Sequence, residues 1–277
     1  MANAGPFHRN AWSLRMSSEG DGVWLYAITA AESAGGVVDG LSGVAGEEIR
    51  LVAADGLAAV VGTVPLYEFG AEPLRRHLED LDWLATKARA HDAVISAIAR
   101  CGPVVPVTMA TVYLDDKRVR TVLNTRHGEF LAALDRVTGR DELGVKAYAD
   151  PSILASRDEP SPQKSGERRS GTAYLMKRKR ELSSQEHAYR AAAAEAERLH
   201  AALMKHAVDG KRKPASDPSL SGRDNWTVLN GTYLVEKSGE DDFRKAVAAL
   251  QETTAGIELE ITGPWPPYSF AGDVMNA

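Results

Sequence analysis

The sequence predicts an α+β protein of two domains, a mixed α/β N-terminal domain and a second domain with the element order βαββαβ. Three observations carry that prediction. The chain has 277 residues, enough for two domains of ordinary size. Its 44% hydrophobic and 26% charged residues have the balance of a globular protein. Apolar alternation of strand period and stripes of helical period succeed one another along the chain, changing order near Arg140 to Gly144.

In the first half, Val23 to Thr29 is a continuous apolar run and reads as a buried strand. A loop with Gly35, Gly36, Gly40, Gly43 and Gly46 follows. Glu48 to Ala53 and Leu57 to Val64 form a hairpin about Asp55-Gly56, a dipeptide suited to the positive φ of a tight turn. One long helix is expected from about Ala71, because Leu74, Leu78, Leu81, Leu84, Ala88, His91, Ile95 and Ile98 recur every three or four residues. Gly102-Pro103 ends it, and Val104 to Leu114 reads as a strand. Asp115-Asp116 starts a second helix to about Val137, with Val119, Val122, Leu123, Phe130, Leu131 and Leu134 inward.

In the second half, Leu143 to Ala149 is a strand and Asp150 to Ser170 is polar. A long helix covers about Ala173 to His206. Asn225 to Leu229 and Thr232 to Glu236 read as two strands about Asn230-Gly231. A helix from about Asp241 to Thr253 and a strand from Ile257 to Ile261 complete a split βαβ, or ferredoxin-like, domain. The expected boundaries are a disordered extension at 1–21, domains at 22–141 and 142–263, and a tail at 264–277. The segments 155–170 and 207–222 hold prolines, serines and charges with little apolar area, and are expected to be mobile loops. The tail interleaves prolines with Trp265, Tyr268 and Phe270, so it should be extended, and no central strand should run past Pro264.

Composition excludes several classes. A formal charge of -5 is the wrong sign for a protein that coats nucleic acid. Cys101 is the only cysteine, which leaves no intrachain disulfide and no cysteine-rich zinc site. The longest apolar stretches fall short of a membrane span, and residues 1–20 lack the apolar centre of a signal peptide, so a cytoplasmic protein is expected. Met16 is a possible internal start.

No catalytic constellation is found, and neither cofactor nor metal is expected. Glu197-x-x-His200 has the spacing of half a carboxylate-bridged metal site but lacks a matching second half, so it reads as a solvated helix face. His91 falls on an apolar stripe, where a buried, hydrogen-bonded histidine is the commoner explanation than catalysis. Arg168, Arg169, Lys177, Arg178, Lys179 and Arg180 put cations at a helix start, against the macrodipole, and an acidic partner would offset that. Together with Trp265, Tyr268 and Phe270 they are the candidate partner-binding residues.

Several blocks carry a family resemblance: Val104-Val105-Pro106-Val107, Glu142-Leu143-Gly144-Val145-Lys146, Ser170-Gly171-Thr172-Ala173-Tyr174-Leu175, Leu229-Asn230-Gly231-Thr232-Tyr233-Leu234-Val235, and the ending Gly-Pro-Trp-Pro-Pro-Tyr-Ser-Phe at 263–270. In this order they resemble the gas vesicle protein F/L family (GvpF/GvpL), over about Val23 to Phe270. Met109-Ala110-Thr111 departs from that family, which often has Phe-Gly-Thr there. The resemblance implies a non-enzymatic accessory protein of gas vesicle assembly. Its partners would be the hydrophobic major shell protein and other accessory proteins, and its role that of a chaperone or nucleation factor. The alternative is a ferredoxin-like small-molecule-binding protein or enzyme with a pocket near His91.

Overall fold

A computed structural model describes residues 20–33, 35, 36, 38–149, 171–213, 226–254 and 256–271, without the side chains of 171–185 and 188. Most of the expected N-terminal extension, the 155–170 loop, most of the 207–222 loop and the last residues of the tail lie outside that description. The chain divides into two compact units, one of residues up to Thr138 together with Ala271, the other Gly139–Phe270.

The first unit contains β1 (Asp21–Ala30), β2 (Ile49–Ala54), β3 (Leu57–Pro65), α1 (Leu66–Phe69), α2 (Ala71–His77), α3 (Leu81–Ala99), β4 (Val104–Pro106), β5 (Val112–Tyr113), α4 (Asp116–Thr125) and α5 (His127–Val137). The strands make one antiparallel sheet in the order β2-β3-β1-β4, with β5 also paired to β1. β1 is central, and α3 and α5 both pack on it. Residues 22–29 are therefore all buried, which is why this strand reads as an unbroken apolar run. The β2–β3 hairpin turns as expected, with Asp55 and Gly56 both at positive φ.

Three expected elements are broken. The long helix from Ala71 is two helices, because the Asp80 carboxylate accepts from Asp82 N and Trp83 N and starts α3 afresh. Leu78 and Leu81 flank that break and are exposed instead of extending the core stripe. The helix from Asp116 likewise breaks at Arg126, and Leu131, expected inward, is exposed. The strand from Val104 is interrupted between β4 and β5, where Ala110 has φ 71°.

The second unit contains β6 (Arg140–Ala149), α6 (Gly171–Leu203), β7 (Asp209–Arg212), β8 (Trp226–Glu236), α7 (Glu240–Thr253), β9 (Ile257–Trp265) and all but the last residue of α8 (Tyr268–Ala271). Its sheet is antiparallel in the order β7-β8-β6-β9. Leu143, Val145, Ala147, Leu229, Tyr233 and Val235 bury one face of it with Leu199 and Leu203 of α6 and Phe243 and Val247 of α7.

Residues 226–236 are not a hairpin about Asn230-Gly231. They form the single strand β8, and the preceding strand is β7, inside the segment expected to be a mobile loop. The glycine has another purpose. A Cβ at Gly231 would lie 2.8 Å from the Tyr233 ring, and one at Gly210 would lie 3.0 Å from it. Both glycines clear space for that ring, whose hydroxyl bonds His200 Nδ1 at 3.0 Å. β9 also runs further than expected, through Pro264 to Trp265, with an irregularity opposite Glu142 to Gly144. It is an edge strand, where a residue without N–H breaks no ladder. Its outer side is met by Gln251 of α7, whose amide donates to Ile257 O at 2.8 Å and accepts from Leu259 N at 2.6 Å.

Candidate functional site

His91 is the first candidate from the sequence. α3 carries it against β1, where Trp24 and Tyr26 project from the same face, and it is 4% exposed. Its Nδ1 accepts from the Trp24 indole at 3.0 Å and its Nε2 donates to Val107 O at 3.0 Å. These two bonds fix the neutral tautomer. Burial pushes its pKa down, and the Val107 bond and Asp92 offset part of that shift. The ring stacks on Tyr26 with centroids 5.2 Å apart.

Tyr26 continues the same polar thread. Its hydroxyl donates to Glu47 Oε1 and accepts from Val44 N at 2.8 Å. Burial, with the adjacent Glu47 carboxylate, holds the phenol well above its ordinary range. A Cβ at Gly43 or Gly62 would collide with Glu47, so Gly43 serves close approach rather than loop flexibility. Lys87 lies over the Phe69 and Trp83 rings, bonds Val44 O at 2.7 Å and pairs with Glu68 at 3.3 Å. Each of these polar groups is matched by a neighbour, which makes the thread a support for the fold. It leaves no nitrogen of His91 for a substrate.

Glu197 and His200 are also engaged. Glu197 pairs with Arg212 at 2.7 Å, and His200 bonds Tyr233. Burial and the Arg212 charge lower the His200 pKa, against a smaller opposing effect of Glu197. Among the described residues no group of three or more His, Cys, Asp or Glu could hold a metal ion.

The candidate partner-binding residues fall in two places. Arg168 and Arg169 lie outside the described residues, while Lys177, Arg178, Lys179 and Arg180 are on the first part of α6. In the tail, Trp265 is 48% exposed, Tyr268 37% and Phe270 4%. The residue that fixes this tail is Glu142, which sequence reasoning did not single out. Its Oε2 accepts from Ser269 N and its Oε1 from Ser269 Oγ, both at 2.7 Å. Burial raises the Glu142 pKa, and the two Ser269 bonds and the charges of Lys213 and Lys211 oppose that shift. Glu142 and Ser269 each belong to a motif block quoted above, so the signal was present, but nothing in the chain links positions 127 residues apart.

A hollow of about 250 Å3 lies beside this contact, lined among others by Gly144, Lys146, Lys213, Thr232, Trp265 and Tyr268. It faces away from the α6–α7 side of the sheet, since the core residues alternate with its lining along β6. In the first unit, Tyr67, Leu78 and Leu81 form an exposed apolar set on the α1–α3 segment, at 69%, 37% and 77% exposure.

The family model for gas vesicle synthesis protein GvpL/GvpF matches residues 22–272. The chain belongs to the GvpL/GvpF family. It is 41% identical over 249 residues to gas vesicle protein L of a Streptomyces sp., covering 90% of this chain and 92% of that one. It is 28% identical to gas vesicle protein F of a Streptomyces sp., over 81% of this chain and 88% of that one. The fold is that of solved gas vesicle proteins. The crystal structure of GvpF from Anabaena sp. aligns with a TM-score of 0.65 at 15% identity, over 91% of this chain and 96% of that one. GvpF from Microcystis aeruginosa aligns with the same TM-score and identity, over 90% and 98%. Among the described residues no helix is long and apolar enough to cross a membrane.

Membership also gives meaning to the Met109-Ala110-Thr111 departure. Ala110 holds a positive φ that glycine adopts without strain, and glycine is the residue often found there in the resembling pattern.

Proposed function

We propose that this protein is a non-enzymatic, cytoplasmic accessory factor of gas vesicle assembly that binds the hydrophobic major shell protein and other accessory proteins. It would act as a chaperone or nucleation factor and associate with the gas vesicle. The family match over 22–272 carries this reading. A free shell subunit that is apolar and strand-forming is an aggregation hazard, and a carrier suppresses that by covering its apolar surface. Tyr67, Leu78 and Leu81 provide exposed apolar side chains suited to such cover. Trp265, Tyr268 and the basic run on α6 are the proposed contacts for further partners. The second unit is proposed to be a ferredoxin-like domain, a reading supported by its βαββαβ order and its β7-β8-β6-β9 sheet, with the domain boundary just before β6 and not at the expected 141/142, which would cut that strand.

The alternative of a ligand pocket at His91 has no support in the geometry, because both ring nitrogens are bonded within the protein. The test is capture of this protein by tagged shell protein, comparing the native chain with Leu81→Asp and Trp265→Ala. Capture by the native chain that is lost with Leu81→Asp supports the reading. Failure of the native chain to be captured under assembly conditions would refute it.

A further inference from the structure

Leu78 and Leu81 flank the turn between α2 and α3, and with Tyr67 of α1 they leave three large apolar side chains exposed on one short segment of the first unit. Such a set is an association surface, and the charges beside it select what associates. Glu79, Asp80 and Asp82 are exposed next to the two leucines. Among the cations of the same segment, Arg75 pairs with Glu72 and Lys87 with Glu68. Arg76 is left against the three carboxylates, and Arg89 lies about two turns further along α3. This corner is therefore apolar with an acidic border.

A stretch of the opposite sign lies in the same chain. Leu175, Leu182, Tyr189, Ala196 and Leu203 recur every seven residues along α6, which sets these positions on one stripe of the helix. The C-terminal end of the stripe belongs to the fold, with Ala196 and Leu203 buried. Among the described side chains of α6, those that join the core begin at Ala192. Tyr189, 57% exposed, stacks on Trp226 with centroids 4.3 Å apart, and Glu186, His187 and Arg190 are exposed around it. From there the stripe runs on to Leu182 and Leu175. Between Gly171 and Arg190 five cations stand against two carboxylates, and Glu186 pairs with Arg190. Lys177, Arg178, Lys179 and Arg180 thus outnumber Glu181, and Arg178 and Lys179 follow Leu175 at the three- and four-residue spacing of helix neighbours.

We propose that the first half of α6 in one copy of this protein docks on the α1–α3 corner of a second copy, its leucine stripe on the exposed leucines and its basic run against the acidic border. A second copy is the occupant because both halves of the match, apolar and charged, are present in one chain. Docking also supplies the acidic neighbour that offsets four cations at a helix start. The two patches differ, so the contact is head-to-tail and either closes as a ring or extends as a chain. It concerns the corner invoked in the assembly reading but does not rest on it, since it is read on this protein alone. Its consequence is a cover for that corner while no other partner is present.

Sedimentation velocity of the full chain tests this without any shell protein. A contact of this size belongs to the weak class, so the series runs from about 1 μM to about 500 μM. The mass should rise with concentration at low salt, and the rise should shrink at high salt, where exposed charges are screened. Reversing the helix charges, Arg178→Glu with Lys179→Glu, suits a helix start and should weaken association by about tenfold or more. Reversing the corner, Glu79→Lys with Asp82→Lys, should do the same. An equimolar mixture of the two double variants restores opposite signs across each contact and should associate again. Leu81→Ser removes the apolar part from an exposed position, and with the helix variant it decides the matter if the corner variant does not fold. A native chain that stays monomeric over the whole range, which includes α6 docking within its own chain, would overturn the proposal. So would undiminished association of the folded helix or Leu81→Ser variants, or a mixture of folded double variants that does not recover.

Discussion

Replacing His91 with leucine separates a structural histidine from a catalytic one. The substitution keeps an apolar side chain of similar reach but removes an acceptor and a donor at once. It leaves the Trp24 indole N–H and the Val107 carbonyl, both in residues buried to within 1% of full burial, without their partner. Each such orphaned group costs roughly 1–3 kcal/mol, so the loss should be about 2–6 kcal/mol, toward the lower end because leucine itself favours burial. Urea unfolding at pH 7.5, followed by circular dichroism, measures it. His91→Gln can accept from Trp24 and donate to Val107, and should recover a large part of the loss. A pH series adds an independent check. Burial holds the folded-state pKa of His91 below its ordinary value. The unfolded chain therefore takes up this proton first. The contribution of His91 to stability is fully present above about pH 6.5 and is lost as pH falls below it. The leucine variant should lack that part of the acid dependence. If His91→Leu unfolds within about 0.5 kcal/mol of the native chain, the size expected of a neutral surface change, the argument from paired polar groups is wrong.

Three further outcomes follow from local geometry. Ala110→Gly relieves a positive φ of 71° and should raise stability by about 0.5–1 kcal/mol after the entropy of glycine is counted, read as a higher urea midpoint. Gly231→Ala drives a methyl into the Tyr233 ring and should cost about 1–3 kcal/mol, with a lowered melting temperature for the second unit. Leu81→Asp changes a side chain that is 77% exposed, so its melting curve should match the native one while shell-protein capture falls.

The sequence made the order of elements legible where burial left a period. β1 was legible from its continuous apolar run, and the β2–β3 turn from Asp55-Gly56. Helix breaks were harder, because the stripe from Leu74 to Ile98 keeps its spacing across the turn at Leu78 to Asp80. There the deciding signal was the Asp80 cap, a local hydrogen bond that competes with a periodic pattern. Asn230-Gly231 misled for a related reason. The same dipeptide suits a tight turn and a strand crossed by an aromatic ring, and only the position of Tyr233 distinguishes them. Of the sites, the bland reading of His91 could be made from its place on an apolar stripe. The Glu142–Ser269 bond and the hollow beside it could not, because they are produced by strand register between β6 and β9.

Gln251 gives the second unit a property that bears on its proposed cargo. Its amide presents one N–H and one carbonyl to the outer side of β9, as a neighbouring strand would. An incoming strand would have to displace that side chain before it could continue the ladder through Ile257 and Leu259. Glu258 and Glu260 on the same strand add negative charge along the approach. A protein that handles strand-forming subunits is at risk of becoming a seed for them. With this rim occupied, β9 is a poor template: under the proposed function, contact with a subunit would be directed to side-chain surfaces, from which it could be handed on, and away from backbone pairing, which would fuse carrier and cargo into one sheet.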